Sequence, residues 1–432
     1  MQFKGLPQST VDNHITSYIV KGIQPLRTVE TAAFRELVTG LAPGAAVMSR
    51  GTLSKRITDK REKMLFDLKE HMSAAKYICT TADAWSTCGR GYLGVTAHWI
   101  AENTLKRHSA ALACRRLVGS HSYDVLAEAI TDIYNEYGLT VHSRIVGCVT
   151  DNGSNFLKAF REFGVELDVN NTEHGDDDGD EPVADDLSFD ALQTVLDTNS
   201  CDHDTSVVVL PPHHSCSSHT LSLIVANDIL EALKDNATLK RIYNSTMAKC
   251  SGLWNCASRS TKCCEAIENL VHRKLVRPCP TRWNSLYDSL RVLKSLRADM
   301  KAVCEAVGIP VFRDVELDFI DEYVDVLYPV AVALDRLQGQ KSESMSFMGA
   351  LIPTLLTVKQ KLTDLTVSPS IRHCLPMAMV VLHALNRRFG MLINLQSEAN
   401  DYIIAAVSHP YFKLRWVPAE HMERCRLLFS RR

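Results

Sequence analysis

Two aspartates stand at the ends of short β-prone runs, where their carboxylates could bind divalent cations. Asp83 closes the run that begins at Tyr77, and Asp151 directly follows the run Arg144–Thr150. Paired carboxylates can hold two metal ions about 3.5–4 Å apart, which clamp the attacking and leaving oxygens of an in-line phosphoryl displacement. Mg²⁺ or Mn²⁺ would suit this pair, because such ions keep waters and substrate phosphates as ligands. The alternative is that both residues belong to turns or helix caps, which Asp favours.

The segments around these aspartates predict the order β-β-β-α-β-α. Strands are predicted at Tyr77–Thr81, Tyr92–Ile100, His108–Leu117 and Arg144–Thr150, a turn at Gly89–Gly91, and helices at Tyr123–Tyr137 and Asn155–Phe163. A three-stranded meander, a helix and a returning strand fit a mixed sheet in which the first and fourth strands are neighbours. We therefore expect Asp83 and Asp151 to meet at a shared edge of one sheet.

The net charge of −2 conceals strong segregation of charge along the chain. Residues 166–204 contain fourteen Asp or Glu and no Lys or Arg, whereas residues 241–301 contain twelve Lys or Arg and four acids. The acidic composition predicts a disordered loop over 166–210. The basic stretch could follow a phosphate backbone or could be a solvated helix face.

Length and composition indicate a soluble globular protein of two or three domains. No apolar run approaches the roughly 20 residues needed to span a bilayer, so we predict no membrane partner. Fourteen cysteines without a recognisable signal peptide indicate free thiols in a reducing compartment.

Helical periodicity dominates both flanks of the predicted sheet. Residues 12–40 and 52–76 read as helical, and so does the chain from about residue 216 onward. Basic side chains crowd the start of the second segment and the residues just before it, among them Arg50, Lys55 and Arg56.

Two further motifs could carry chemistry. Cys216 and His219 have a spacing that can share a zinc ion, but only His213 or His214 offers a third ligand and none is evident for the fourth, so zinc is not predicted. In the segment Thr281–Ser285, Arg282 could bind a phosphate and Trp283 could stack on an unpaired base. The alternative is a core tryptophan beside a capping arginine.

Taken in order, these motifs resemble the hAT family of DNA transposases, especially its animal branch that carries a BED zinc finger. The segments with this resemblance are Thr81–Trp85, Thr150–Asn155, Cys216–His219 and Thr281–Ser285, together with Gln24–Glu30, Ser49–Leu53 and His409–Leu414. The resemblance covers roughly residues 15–430. It implies an α/β plus all-α fold, in which a ribonuclease-H-like mixed sheet is interrupted by a large helical insertion domain.

The resemblance also implies a domain plan and a role for each motif. The plan is a helical DNA-contacting region over 1–74, a ribonuclease-H-like core over 75–165, the acidic loop over 166–210 and the helical insertion over 211–432. Asp83 and Asp151 would be catalytic metal ligands, and Trp283 would stack on a flipped base with Arg282 beside it. Arg50, Lys55 and Arg56 would contact DNA, and Cys216 and His219 would begin the insertion. The expected partner is DNA, the expected location is the nucleus, and any dimer or oligomer would form through regions outside this chain.

The sequence also departs from the family pattern. Family transposases complete their site with a glutamate in a C-terminal dimerisation segment, and we recognise neither that segment nor the BED finger here. Glu398 falls within the insertion and is not assigned to the site. We therefore expect weak metal binding, no strand cleavage and a role as a transposase-derived nucleic-acid-binding protein, for example a transcription regulator. The alternatives are an active transposase that obtains its third acid elsewhere, and a protein-interaction scaffold.

Overall fold

A computed structural model describes residues 6–119, 122–141, 144–165, 208–279, 283–338 and 347–431 of the chain; of Trp283 it describes the backbone alone. Nearly all of the acidic segment over 166–210, for which a disordered loop was predicted, lies outside these described residues. The chain divides into two compact units, Met1–His214 and Ser215–Arg432. Within the described ranges, no helix combines the length and the apolar character needed to cross a membrane.

The first unit begins with three helices around a small apolar core. These are α1 (Gln8–Lys21), α2 (Ala32–Leu41) and α3 (Arg50–Ser73), with a 3₁₀ turn at Leu26–Glu30. The prediction that residues 12–40 are helical is wrong in detail, because α1 ends at Lys21 and Ile23 takes a left-handed conformation with φ of 49°. Pro25 then caps the 3₁₀ turn, a position where its missing N–H removes no helical hydrogen bond.

A mixed sheet follows, as the sequence predicted, with five strands where four were predicted. Its strands are β1 (Ile78–Thr87), β2 (Arg90–Ile100), β3 (Arg107–Leu117), β4 (Ile145–Thr150) and β5 (His213–Ser215), in the order β3-β2-β1-β4-β5. β1 pairs with β2 antiparallel and with β4 parallel, so the first and fourth strands are neighbours.

Three details of the sheet differ from the prediction. β1 does not end at Asp83 but continues to Thr87, because β2 pairs with it as far as Arg90. The turn consists of Cys88 and Gly89, both with positive φ (49° and 68°), which suits a two-residue hairpin loop, so the turn predicted at Gly89–Gly91 is displaced. The short edge strand β5 was not predicted.

Helices α4 (Tyr123–Glu136) and α5 (Ser154–Phe163) supply buried apolar side chains to the sheet's core. On that side, the buried hydroxyl of Tyr134 lies 2.7 Å from Thr80 Oγ1. Side chains alternate along β1, so Thr81 and Asp83 lie on the opposite face, which is more exposed. Burying one face and leaving the other accessible is what a surface site on the sheet requires.

The second unit is helical among its described residues. Its helices are α6 (Ser217–Leu223), α7 (Ile229–Asp235), α8 (Ala237–Arg259), α9 (Thr261–Val271), α10 (Trp283–Ser295), α11 (Met300–Val307), α12 (Asp314–Leu337), α13 (Leu351–Thr366), α14 (Leu375–Ile393), α15 (Asn400–Ser408) and α16 (Met422–Ser430). A π-helical turn, Ile224–Asp228, joins α6 to α7. One large apolar cluster fills the bundle and a smaller one lies beneath α15 and α16.

The basic stretch over 241–301 is partly neutralised by acids of α12. Lys249 Nζ lies 2.6 Å from Glu316, Arg297 contacts Asp318 at 2.6 Å, and Lys294 pairs with Asp325. These partners are distant in sequence, so the local excess of positive charge overstates the charge that this region presents to a phosphate backbone.

Glu316 makes the stability of the helical unit sensitive to acid. Burial alone would raise the pKa of its carboxyl, but hydrogen bonds from Lys249, Ser245 and the Arg313 backbone outweigh burial and hold that pKa at about 2. The carboxyl takes up a proton more readily in the unfolded chain than in the folded one. Its contribution to stability is therefore complete above the unfolded pKa of 4.5 and is lost as pH falls toward 2.

We expect acidification from pH 6 to pH 2.5 to lower the free energy of unfolding by on the order of 2–3 kcal/mol through Glu316. Urea unfolding across this pH range measures the effect, and Glu316→Gln is the control. The glutamine variant should be less stable at pH 6 and should show a flatter pH profile. Equal slopes for the two proteins would assign the acid sensitivity to other groups.

Candidate metal centre and nucleic-acid interface

The register between β1 and β4 brings Asp83 level with Asp151. The last paired residues of this parallel ladder are Thr81 and Val149, and each aspartate lies two positions further along its own strand direction. Neighbouring strands are about 4.8 Å apart where they pair, and both aspartates follow this last pair by two residues. Continuing the register would bring the two acids side by side, with Asp83 inside its strand and Asp151 just beyond the end of β4.

The surroundings of Asp83 are polar on one side and aromatic on the other. Thr81 Oγ1 lies 2.6 Å from Thr96 Oγ1, which in turn lies 3.0 Å from His98 Nε2. Thr81 is on the same face as Asp83, because the two are two residues apart on one strand. Burial and the nearby Arg107 guanidinium lower the pKa of His98, which favours its neutral form.

Trp85 lies on the same face of β1, and the position of its indole requires a glycine opposite Asp83. Gly94 pairs with Asp83, and a Cβ atom added to Gly94 would lie 2.9 Å from Trp85 Cζ3. The indole therefore covers the space that a side chain at this position would fill. Trp85 also stacks on Tyr92, with ring centroids 5.9 Å apart, and remains 38% exposed.

Asp151 lies in the turn that joins β4 to α5. Its Oδ1 accepts a hydrogen bond from the backbone N–H of Gly153 at 3.1 Å, an Asx-type turn that orients the carboxylate. Thr150 Oγ1 donates to the carbonyl of Asp151 at 2.8 Å. The turn-residue interpretation of Asp151 is thus correct as a description of its backbone, and it leaves the second carboxylate oxygen for other interactions.

The chemistry of the two aspartates fits a hard divalent cation. Mg²⁺ and Mn²⁺ take oxygen ligands, and Mg²⁺ is commonly bound through one or two carboxylates while waters and phosphates complete its coordination. Among the residues that the structure describes, no group of three or more His, Cys, Asp or Glu side chains could hold a metal ion. The aspartate pair is therefore the site we consider, and a third protein ligand is not identified there.

The predicted DNA-contacting residues of α3 have different environments. Arg50 and Lys55 are exposed in the first turns of the helix. Arg56 is less exposed, and its guanidinium lies 3.5 Å from Asp12 and donates to Asn13 at 3.2 Å. Arg56 thus ties α3 to α1, whereas Arg50 and Lys55 project charge into solvent.

Arg282 lies outside the described residues, and nothing is described of the Trp283 side chain. The neighbouring Ser285 exchanges two hydrogen bonds of 2.8 Å with the backbone of Cys279, accepting from its N–H and donating to its carbonyl. These bonds tie Cys279 to the first turn of α10. Nearby, Ser289 donates to the Val276 carbonyl at 3.0 Å.

Cys216 and His219 lie at the beginning of α6. The Cys216 carbonyl accepts from Thr220 N–H at 3.0 Å and from Thr220 Oγ1 at 3.2 Å, so this motif starts a helix. The preceding His213 was considered only as a zinc ligand, yet it lies 2.8 Å from the Thr150 hydroxyl beside Asp151. No local pattern could reveal that contact, because sixty-three residues separate the two positions.

The fold agrees with comparisons to known proteins. A sequence profile of the ZBED1 RNase-like domain matches residues 81–177, a segment that contains both aspartates. This segment is therefore similar to an RNase-like domain, in agreement with the mixed sheet of the structure.

The chain is also similar to the transposable element Hobo transposase of Drosophila melanogaster, with 22% identity over 363 residues. The match covers 79% of this chain and 45% of the relative, so the chain spans less than half the length of that transposase. Both comparisons support the predicted resemblance to hAT-family transposase-derived proteins.

Proposed function

We propose that this is a transposase-derived, DNA-binding protein of the nucleus in which Asp83 and Asp151 bind one divalent cation weakly. The observation that carries the metal site is the register of β1 and β4, which aligns the two aspartates. The nuclear location is proposed because the chain is similar to a transposase. A role in transcription regulation is the corresponding biological proposal.

A cation held by the two carboxylates would supply positive charge for a phosphate oxygen at this face of the sheet. The protein's own residues do the positioning: the Gly153 N–H orients Asp151, and the β1–β2 pairing fixes the backbone of Asp83. We propose that two carboxylates suffice for binding and not for strand cleavage, because a further acid is not identified beside them within the described ranges.

DNA nicking distinguishes this proposal from an active transposase. We expect the purified chain to leave a supercoiled plasmid intact in Mg²⁺ or Mn²⁺. Metal-dependent nicking that disappears in Asp151→Asn would contradict catalytic incompleteness and establish the enzyme. Nicking that persists in Asp151→Asn would indicate a contaminating nuclease, which repeated purification of the variant identifies.

Exposed basic residues of α3 are expected to contribute to DNA affinity. Removing one side chain that binds a phosphate should reduce the slope of log Kobs against log salt by about 1, because fewer counterions are released on binding. The double substitution Arg50→Ala and Lys55→Ala should therefore reduce the slope by about 2. Fluorescence anisotropy with a labelled duplex at several salt concentrations gives this slope.

Lys234→Ala is the matched control, since this lysine also lies on a helix surface but belongs to α7. Its salt slope should equal that of the unmodified protein. If the α3 double variant also keeps the unmodified slope, α3 does not contact DNA. If the unmodified protein does not bind the duplex at low salt, the protein-interaction scaffold becomes the better account.

A further inference from the structure

A short chain of hydrogen bonds connects the sheet edge to the turn that carries Asp151. Thr150 Oγ1 lies 2.8 Å from the carbonyl oxygen of Asp151 and 2.8 Å from Nε2 of His213. A hydroxyl has a single proton to donate, and here it goes to the carbonyl. The same oxygen must then accept from His213, so His213 carries its proton on Nε2.

His213 is itself held from two directions. Its ring stacks on Phe160 of α5, with centroids 4.7 Å apart and planes inclined by 26°. The adjacent Pro212 carbonyl accepts a hydrogen bond from Cys148 N–H of β4 at 2.9 Å. Since β4 leads into the Asp151 turn and α5 leads out of it, His213 is fixed to both elements that flank the carboxylate.

Burial, reinforced by the neighbouring His214, lowers the pKa of His213 to about 4. The imidazole is therefore neutral near pH 7. A neutral ring adds no charge that would compete with a bound cation, and its role toward Thr150 is that of a hydrogen-bond donor.

We propose that His213 is a positioning residue for cation binding, holding the backbone of Asp151 through the Thr150 hydroxyl. The inference rests on the proposed function, because it assigns His213 a task at the same aspartate pair. Groups that orient a metal ligand without touching the metal commonly change metal affinity by 10–100-fold when they are removed. His213 reaches the site from β5, which follows the acidic segment in the chain, and thereby couples β5 to the geometry of the site.

The test uses His213→Phe, which keeps an aromatic ring against Phe160 and removes the Nε2 donor. Mn²⁺ binding, followed by electron paramagnetic resonance, should weaken about tenfold. Thr150→Val should weaken binding similarly, because it removes the hydroxyl in the middle of the chain. His213→Gln, which restores an N–H donor, should recover part of the affinity.

A double-mutant comparison separates positioning from general stabilisation. In an Asp151→Asn background, His213→Phe should change Mn²⁺ affinity little, because its effect acts through Asp151. Equal losses in both backgrounds would overturn the proposal. Thermal unfolding of each variant shows whether it is folded at the assay temperature, and Thr150→Val decides the question if His213→Phe is not.

A second readout needs no metal. The Gly153 amide is hydrogen-bonded to Asp151 Oδ1, so its hydrogen exchange reports on the orientation of this carboxylate. His213→Phe should accelerate exchange at Gly153 by tenfold or more, and unchanged exchange would contradict the positioning role. If the unmodified protein binds no Mn²⁺, the proposed metal function fails, whereas Gly153 exchange still decides the role of His213.

Discussion

Asparagine in place of Asp83 is expected to weaken Mn²⁺ binding by at least tenfold while leaving the fold intact. The substitution keeps the size of the side chain and removes one of the two negative charges that the register of β1 and β4 aligns. The affinity of a site for a hard divalent cation depends strongly on the charge of its carboxylates, so losing one of the two removes much of the attraction. Titration with Mn²⁺, followed by electron paramagnetic resonance, measures the change.

Stability in the absence of metal provides an independent check on the same residue. Two neighbouring carboxylates repel each other when no cation lies between them, so Asp83→Asn should leave the stability of the metal-free protein unchanged or raise it slightly. Asp67→Asn is the matched control, because Asp67 lies on α3, away from the sheet site. Equal Mn²⁺ affinities for the Asp83 and Asp67 variants would remove Asp83 from the site.

Alanine in place of Glu322 is expected to destabilise the helical unit by about 3–5 kcal/mol. Glu322 lies on α12 and is 6% exposed. Its Oε2 accepts backbone N–H groups of Arg372, His373 and Cys374 at 2.9, 2.7 and 2.8 Å. Alanine would leave donors that precede α14 buried and without an acceptor, and helix N-termini depend on such acceptors.

The measurement is urea unfolding at neutral pH, monitored by circular dichroism. Glu322→Gln keeps a carbonyl acceptor and should lose less stability than Glu322→Ala. Glu420→Ala serves as the control, because Glu420 is exposed and its removal should change stability by less than about 0.5 kcal/mol. A loss of under about 1 kcal/mol for Glu322→Ala would show that these backbone groups find other partners.

Much of the sheet could be predicted from the sequence because its elements have clear local signals. The β-branched and aromatic run of β2 and the helical spacing of α4 lie close to their predicted bounds. Given this order of elements, the rules that govern strand connections predict that β1 and β4 are neighbours. The position of the aspartate pair therefore followed from local pattern and topology together.

The end of β1 was mispredicted because a partner strand determined it. The predicted strand ended at Asp83, a residue that strands disfavour, yet β2 pairs with β1 beyond it through Trp85 to Thr87. Pairing of this kind overrides local propensity, since each added residue joins an existing hydrogen-bonded ladder. The same reason explains β5, which is only three residues long and gains its conformation at the sheet edge.

The charge available to a partner was also mispredicted, because it was judged by counting charged residues along the sequence. Residues 241–301 have a large basic excess in sequence, but Lys249 and Arg297 are paired with acids of α12. In contrast, Arg50 and Lys55 remain exposed, and Arg56 does not. Counting charge over a window cannot separate these cases, because the partner of an ion pair can lie many residues away.

The central claim is that Asp83 and Asp151 form one divalent-cation site on the exposed face of the sheet. Crystals of the protein soaked in Mn²⁺, with diffraction recorded near the manganese absorption edge, test it most directly. We predict an anomalous peak within about 2.0–2.6 Å of a carboxylate oxygen from each aspartate. Carboxylates directed to opposite faces of the sheet, or manganese bound elsewhere while this position stays empty, would contradict the claim.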